Sequence, residues 1–296
     1  MKAINRIHHI SAIVGNPKEN VRFYETILGL RLVKQTVNFD DPETYHLYFG
    51  NEQAEPGTIM TFFPWNTASR GRVGSGQVGR IAFRIPKGSI GYWNERFTSF
   101  DISFEMSQLF GKTTMEFTDT HDLAIALVEG DEEKCRPDIM GFHGAVLLSS
   151  QPKDTMTTLR DDLGLNLLLD ENDFYRLETV GKERHQIIIP KQVLPKGRFG
   201  IGTVHHIAWS VPDDETHHMW QDYLYEKNYG VTEIKDRQYF HAIYFVEKGN
   251  IVFELATDAP GFTVDEPLEQ LGEKLMLPPQ YEHMRQYLET HLSPLR

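Results

Sequence analysis

Two pairs of adjacent histidines stand in apolar stretches where a strand needs bulk and no charge: His8 and His9 in IHHIS, and His205 and His206 in VHHIA. The second pair, in the same setting as the first, indicates duplicated architecture. Side chains alternate across a strand, so only one histidine of each pair is expected to face inward. In the second stretch the bulky side chains share a face with His205, and this face is expected to pack on a helix. His206, and by the repeat His9, are therefore predicted to face the open side of a curved sheet.

A carboxylate in a third apolar stretch completes a metal-ligating set. In NIVFELAT, Glu254 lies on the face opposite Phe253 and Leu255. An ionised glutamate inside a sheet is costly unless a cation compensates its charge. Two histidines and one carboxylate form the facial set that suits non-haem Fe(II) and leaves coordination positions free. His9, His206 and Glu254 therefore predict a metal site.

The last strand after the first histidine pair, TIMTFFPW, lacks a carboxylate. We expect Phe62 at the position that corresponds to Glu254, so that the symmetry supplies no fourth protein ligand and the site stays open. Phe62 and Phe63 are expected to shape a pocket for a planar ring, which favours an aromatic substrate.

The order of elements around each histidine pair predicts an α+β fold. A strand, a capped helix and three further strands follow one another (βαβββ), and two weaker copies lie in between, so that four units span residues 4–258. Such units suit two barrel-like halves of curved mixed sheets. We predict a pair of modules in residues 1–135 and a second pair, with a terminal helix docked outside, in residues 136–296. The two middle units provide no inward carboxylate and are expected to be metal-free.

Composition narrows the class of partner. The 296 residues carry a formal charge of −12, which disfavours nucleic acid and anionic membrane surfaces. No apolar run approaches the roughly 20 residues that cross a bilayer, and the start of the chain lacks an apolar signal core. With Cys135 as the single cysteine, we expect a cytoplasmic protein that acts on a small molecule. Exposed sheet edges allow a homo-oligomer.

The chain resembles the vicinal oxygen chelate superfamily (glyoxalase, bleomycin resistance and extradiol dioxygenase proteins), and within it the hydroquinone-type ring-cleaving dioxygenases. The matching segments include IHHIS, ILGLRLVKQTVNFDD, YHLYFGNEQAEPGTIMTFFPW, IPKGSIGYW, VHHIAWSVPD and FELATDAPGFTVDE. The resemblance implies that His9, His206 and Glu254 hold Fe(II), or in some members Mn(II). It also implies that the enzyme inserts O2 into a hydroquinone or a related dihydroxylated aromatic.

The same resemblance implies a set of residues that orient the ligands or handle substrate and oxygen protons. By position these residues are His8, Ser11, His205, Arg237 and Tyr244.

Two other functions stay open from the sequence. A glyoxalase-like isomerase or lyase shares the fold but usually offers the metal a fourth protein ligand or a thiol-binding site. A non-catalytic protein could instead sequester a quinone or a metal. The histidines outside the two pairs, among them His46 and His143, are interpreted as ordinary packed or surface residues. GSGQVG at residues 74–79 matches a dinucleotide-binding spacing but precedes a strand instead of a helix, so we interpret it as a connector.

Overall fold

The four-unit pattern is present in the computed structural model, which describes residues 3–296. The first module contains β1 (Ile7–Val14), α1 (Pro17–Val21) with a π-helical continuation (Arg22–Ile27), β2 (Arg31–Asn38), β3 (Asp41–Gly50) and β4 (Ile59–Pro64). The second contains β5 (Gln77–Ile85), α2 (Ile90–Ser99), β6 (Phe104–Ser107), a 3₁₀ turn (Leu109–Gly111), β7 (Thr114–Thr118) and β8 (Ala124–Glu129).

The second half of the chain repeats this order. The third module contains β9 (Gly141–Leu148), α3 (Pro152–Thr157) with a π-helical continuation (Thr158–Asp162), β10 (Asn166–Asp170), β11 (Phe174–Glu178) and β12 (Gln186–Pro190). The fourth contains β13 (Thr203–Val211), α4 (Asp214–Glu226), β14 (Lys235–Asp236), β15 (Phe240–Val246) and β16 (Val252–Pro260). Short 3₁₀ segments (Phe262–Val264, Leu268–Gln270, Pro279–Met284) and α5 (Arg285–His291) follow.

The strands form two eight-stranded mixed sheets, which confirms the predicted α+β fold. The first sheet has the order β14-β15-β16-β13-β1-β4-β3-β2, and the second has the order β10-β11-β12-β9-β5-β8-β7-β6. Antiparallel pairing of first strands joins the modules, β1 with β13 and β5 with β9. Each sheet thus combines a module from each half of the chain, the first with the fourth and the second with the third. Neither sheet coincides with residues 1–135 or 136–296, and a division of the chain at residue 135 stays a prediction.

The two faces of the first sheet are chemically different. Ile10, Trp209 and Phe253 lie on the face that packs against the helices, in the large hydrophobic core. The other face carries a smaller apolar cluster, in which Tyr48 and Ala208 pack against residues that follow the last strand, such as Phe262. This second face contains the candidate site.

The ends of the predicted helices behave as their residue types indicate. The Asn16 side chain caps α1 by accepting hydrogen bonds from two backbone N–H groups. Gly29 follows the helical segment with φ of 72°, a left-handed conformation that glycine adopts without strain. The terminal helix docks outside the first sheet, as expected, with Leu288 buried against Val37, whereas Tyr287 is exposed. In residues 3–296 no helix has the length and apolarity needed to cross a membrane.

A buried ion pair ties the segment after β16 to the first sheet. Lys34 on β2 is fully buried, and its Nζ lies 2.6 Å from Asp265 and also contacts Glu266. Asp265 in turn accepts hydrogen bonds from Gln238 and Tyr239. The lysine therefore anchors the loop before β15 as well as the chain after β16.

We expect Lys34→Met to lower the free energy of unfolding by about 3–5 kcal/mol, because removing one partner of a buried pair leaves the carboxylates uncompensated. Urea unfolding followed by circular dichroism measures this change. Lys191→Met, which removes a surface pair with Asp170, is the matched control and should unfold almost as the wild type does. Equal midpoints for the two variants would contradict the anchoring role.

Candidate metal centre

Three predicted ligands converge from three adjacent strands of the first sheet. His9 on β1 and His206 on β13 approach each other with 3.3 Å between their Nε2 atoms. Glu254 Oε2 on β16 lies 2.8 Å from His206 Nε2 and 3.4 Å from His9 Nε2. Donor atoms about 2.1 Å from an ion, at right angles to one another, lie about 3 Å apart. Within residues 3–296 this is the one group of three or more side chains whose ligand atoms meet in this way.

The chemistry of Glu254 fits a cation. Its side chain is fully buried, and neither carboxylate oxygen accepts a well-directed hydrogen bond from the described residues. Burial pushes the pKa of Glu254 up, but the His9 and His206 imidazoles outweigh this effect and hold the pKa well below its usual range. An ionised carboxylate without directed donors, beside two imidazole nitrogens, is a donor set that a divalent ion satisfies.

A β-bulge at the first histidine of each pair changes the predicted strand faces. Between β1 and β13 the register shifts once at His8 and once at His205, so each pair contains one extra, unpaired residue. The expectation that only one histidine per pair faces inward is therefore wrong for the second pair, since His205 lines the same cavity as His206. Bulges re-aim side chains in this way and are frequent beside active sites.

The bulges also bring the two rings of each histidine pair within hydrogen-bond distance of each other. His8 Nδ1 lies 2.8 Å from His9 Nδ1, and His205 Nδ1 lies 2.7 Å from His206 Nδ1. A histidine that offers Nε2 to a metal carries its proton on Nδ1 and needs an acceptor there. Burial and the neighbouring His206 lower the pKa of His205 to about 3, so that its ring is neutral and can accept this bond. The first histidine of each pair can thus accept the Nδ1 proton of the second, which would leave Nε2 of the second free to bind a metal.

A cavity of about 350 Å³ opens on one side of this group, a size in the range of small-molecule sites. Aromatic rings form much of its wall, with Phe63 stacked on Trp65 at 5.7 Å between ring centroids. The lining residues are His9, Asn38, Phe39, Asp40, Asp41, His46, Phe63, Trp65, His205, His206, Arg237, Phe240 and Tyr244.

Arg237 and Tyr244 lie together on the cavity wall. The Arg237 guanidinium donates a hydrogen bond to Asp40 at 2.9 Å and lies 5.7 Å from the centre of the Tyr244 ring. Tyr244 is the cross-strand partner of Glu254. Burial and the Glu254 carboxylate raise the pKa of Tyr244, and Arg237 offsets part of this rise. The phenol therefore keeps its proton at neutral pH and can donate it in a hydrogen bond.

Phe62 is not at the position that was predicted for it. Its ring packs in the helix-facing core, 4.4 Å from the Tyr24 ring centroid, whereas Phe63 lines the cavity. Ser11 pairs with Thr61 in the first module as Ala208 pairs with Glu254 in the fourth. The prediction was one residue out of register, and Thr61 occupies the position equivalent to Glu254. A hydroxyl stands where a fourth ligand could have been.

The sequence interpretation missed His46, which lines the cavity and was treated as an ordinary packed residue. The signal was present in YHLYF, because Leu47 and Phe49 belong to the helix-facing core while His46 and Tyr48 alternate with them on the other face. Trp65 and Phe240 were also missed, although both line the cavity.

The second sheet has different residues at the corresponding positions. Its strand registers place Arg80, Gly144 and Ile188 where the first sheet has its three predicted ligands. Arg80 forms an ion pair with Glu116. None of these three residue types is an ordinary metal ligand, and the expectation that the middle modules are metal-free stays a prediction.

Comparison with known proteins assigns the family. Residues 6–127 match the family described as Glyoxalase/Bleomycin resistance protein/Dioxygenase superfamily. The chain is 49% identical over 298 residues to MhqO of Bacillus subtilis, named "Putative ring-cleaving dioxygenase", covering 97% of this chain and 96% of that protein. It is 27% identical to the chlorohydroquinone/hydroquinone 1,2-dioxygenase of Sphingobium indicum, over 99% of this chain and 97% of that one.

A solved structure extends the likeness to three dimensions. The crystal structure of a protein described as a "putative dioxygenase" from Bacillus subtilis superposes with a TM-score of 0.96 at 48% sequence identity, covering 100% of this chain and 99% of that one. This level of identity over the full length of both chains is far above that of a shared fold alone. The chain belongs to the glyoxalase/bleomycin resistance protein/dioxygenase superfamily.

Proposed function

We propose that this protein is a metal-dependent, extradiol-type ring-cleaving dioxygenase that inserts O2 into a hydroquinone or a related dihydroxylated aromatic. The observation that carries the proposal is the His9–His206–Glu254 group beside an aromatic-lined cavity, in which the described residues bring together three ligand atoms and no fourth. Such a group leaves positions free for a substrate oxygen and for O2. The names of the two relatives above, a ring-cleaving and a hydroquinone dioxygenase, support the choice of reaction and substrate.

Fe(II) is the metal that this donor set suits best, with Mn(II) as the alternative. When bound, the ion would bring the substrate oxygen and O2 together and let electron density pass from the ring to oxygen. His8 and His205 keep the two ligand rings in the required tautomer. Phe63 and Trp65 provide a flat apolar wall for the aromatic ring.

Two side chains on the cavity wall, Tyr244 and Arg237, can bind or donate protons to a substrate. Tyr244 keeps its phenol proton next to Glu254 and can donate it to an oxygen of the substrate or product. Arg237, held by Asp40, places a permanent positive charge over the Tyr244 ring and favours an anionic substrate oxygen there. Ser11, the cross-strand partner of His206, is fully buried and does not line the cavity, and its hydroxyl lies 2.7 Å from the Thr61 hydroxyl.

Oxygen uptake tests the proposal. Anaerobically prepared, Fe(II)-loaded protein should consume O2 with hydroquinone or methylhydroquinone and yield a ring-opened product, with metal content determined on the same sample. Catechol serves as the ortho-diol comparison, and Mn(II)-loaded protein decides between the metals. Bound metal without uptake on any diol would favour the isomerase, lyase or non-catalytic alternatives, and protein that binds no metal would contradict the site itself.

A further inference from the structure

A chain of hydrogen bonds leads from the cavity wall to the side of the candidate centre that lacks a carboxylate. His46 Nε2 lies 2.9 Å from Thr61 Oγ1, which lies 2.7 Å from Ser11 Oγ. The Tyr48 hydroxyl lies 2.8 Å from the other ring nitrogen of His46, Nδ1. Ser11, Tyr48 and Thr61 are fully buried, and His46 is the member that lines the cavity. Every contact in the chain has an ordinary hydrogen-bond distance.

The internal repeat shows what this chain replaces. In the fourth module Tyr244 pairs with Glu254 across β15 and β16, and in the first module Tyr48 pairs with Thr61 across β3 and β4. Tyr48 is therefore the repeat equivalent of Tyr244. Where the fourth module places a tyrosine against a charged ligand, the first places one within a network of neutral groups.

The numbers of donors and acceptors determine which group donates in each of these hydrogen bonds, that is, whether the series donates from Tyr48 towards Ser11 or from Ser11 towards Tyr48. If the Tyr48 hydroxyl donates to His46 Nδ1, the neutral imidazole carries its proton on Nε2 and donates it to Thr61. Thr61 then donates to Ser11, and the Ser11 hydroxyl keeps its own proton for an acceptor outside the chain. In the opposite direction, the proton left over would be that of Tyr48, which packs among apolar side chains. Both directions leave one buried hydroxyl proton, but at Ser11 it lies beside the centre that holds the Glu254 oxygens, unpaired among the described residues, whereas at Tyr48 it would face apolar groups and lose its hydration.

The end of the chain lies beside the candidate centre. Ser11 pairs with His206 across β1 and β13 and follows His9 by two residues on the same strand. Neither His46 nor Tyr48 changes its protonation state near neutral pH. Burial, with His9 and His206 nearby, lowers the pKa of His46, and burial raises the pKa of Tyr48. The chain therefore holds hydrogen bonds in place and does not act as a proton reservoir.

We propose that His46 is a positioning residue that acts through Thr61 to hold the Ser11 hydroxyl as a fixed hydrogen-bond donor toward the oxygen atoms that react beside the three ligands. The role in turnover rests on the proposed function. The direction in which these hydrogen bonds donate does not rest on the proposed function, because it is a property of the folded protein alone.

The direction is tested by ¹⁵N NMR of histidine-labelled, metal-free protein, with His46 assigned from the His46→Phe variant. We expect a neutral His46 ring protonated at Nε2, whose Nε2 signal moves in Thr61→Val. Thr36→Val is the matched control, since Thr36 faces His46 across β2 and β3 and its buried hydroxyl has no hydrogen-bond partner in the described chain. A His46 ring protonated at Nδ1 would overturn the inference.

The positioning role is tested by oxygen uptake of the Fe(II)-loaded variants with hydroquinone. We expect Thr61→Val to lower kcat about 10- to 100-fold, with metal content kept and KM within about twofold of wild type, because a donor to a developing charge acts on the transition state. Thr61→Ser should restore most of kcat, and Thr36→Val should not change it. Unchanged kcat in Thr61→Val, or a loss that tracks lost metal, would refute the role. A wild type that consumes no O2 would refute the proposed function, while the NMR result would still decide the direction of the chain.

Discussion

Glu254→Gln should lose tight binding of Fe(II) and, with it, oxygen uptake on every diol. The substitution keeps the size of the side chain but removes the only anionic donor of the predicted set. We expect the metal affinity to fall by more than about 100-fold, since changes to the outer partners of ligands alone cost about 10- to 100-fold. Metal content after desalting and the Kd from an anaerobic titration measure the change.

The thermal stability of the same variant gives a second measurement that does not depend on turnover. A ligand at 100 times its Kd stabilises the native state by about 2.7 kcal/mol, so Fe(II) should raise the Tm of the wild type. The variant should show no such rise. Without metal, it should be no more stable than the wild type, because the lowered pKa of Glu254 means that folding favours the ionised carboxylate over a neutral group of the same size.

A matched substitution separates the loss of a ligand from the loss of any buried carboxylate. Glu247 is also buried, and it accepts hydrogen bonds from Thr155 and from the backbone N–H groups of Gly249 and Ile251. Glu247→Gln should be less stable than the wild type and yet bind Fe(II) normally. Full iron content and full turnover in Glu254→Gln would show that Glu254 is not a metal ligand.

The grouping of His9, His206 and Glu254 was accessible from sequence because it depends on three local patterns. Each residue is polar at a position where its strand neighbours are apolar, and the repeat of the histidine pair indicated that the first and fourth modules each supply one histidine to the set. Alternation with period two then placed all three on one face. The physical basis is the cost of burying a charge, which makes an inward glutamate informative on its own.

The features that sequence reasoning missed depend on breaks in that alternation. A bulge adds one residue to a strand, and nothing in HHIS or HHIA marks where the register will shift. The prediction placed Phe62 at the position that Thr61 occupies for a related reason, because an error of one residue in register moves a side chain to the opposite face of the sheet. His46 was missed for another reason, since a single histidine without a repeat looks like an ordinary packed residue until its neighbours across the sheet are known.

The assembly of the modules was also beyond local patterns. Each sheet joins strands that are distant in the sequence, β1 with β13 and β5 with β9. Such pairings are decided by which first-strand edges fit each other, a property of the folded modules and not of the residues next to one another in the chain.

The position of Thr61 leads to the second large expected effect. Thr61→Glu places a carboxylate at the repeat equivalent of Glu254, where it can occupy one of the positions that substrate or O2 requires. We expect the variant to keep Fe(II) and to lose oxygen uptake by about 100-fold or more, since a misplaced reactant alone costs that much. Iron content and oxygen uptake on one sample measure both quantities.

The charge of the new side chain, and not its size, should cause this loss. Without metal, two neighbouring buried carboxylates repel each other, so Thr61→Glu should be less stable than the wild type and gain more in Tm when Fe(II) is added. Thr61→Gln is nearly the same size, has no charge and ligates hard ions weakly, so it should show a smaller loss of uptake and no extra gain in Tm. Equal effects of the two substitutions would mean that crowding next to Ser11 and His46 closes the site. In that case, the lack of a carboxylate as fourth ligand would not be what keeps the centre open.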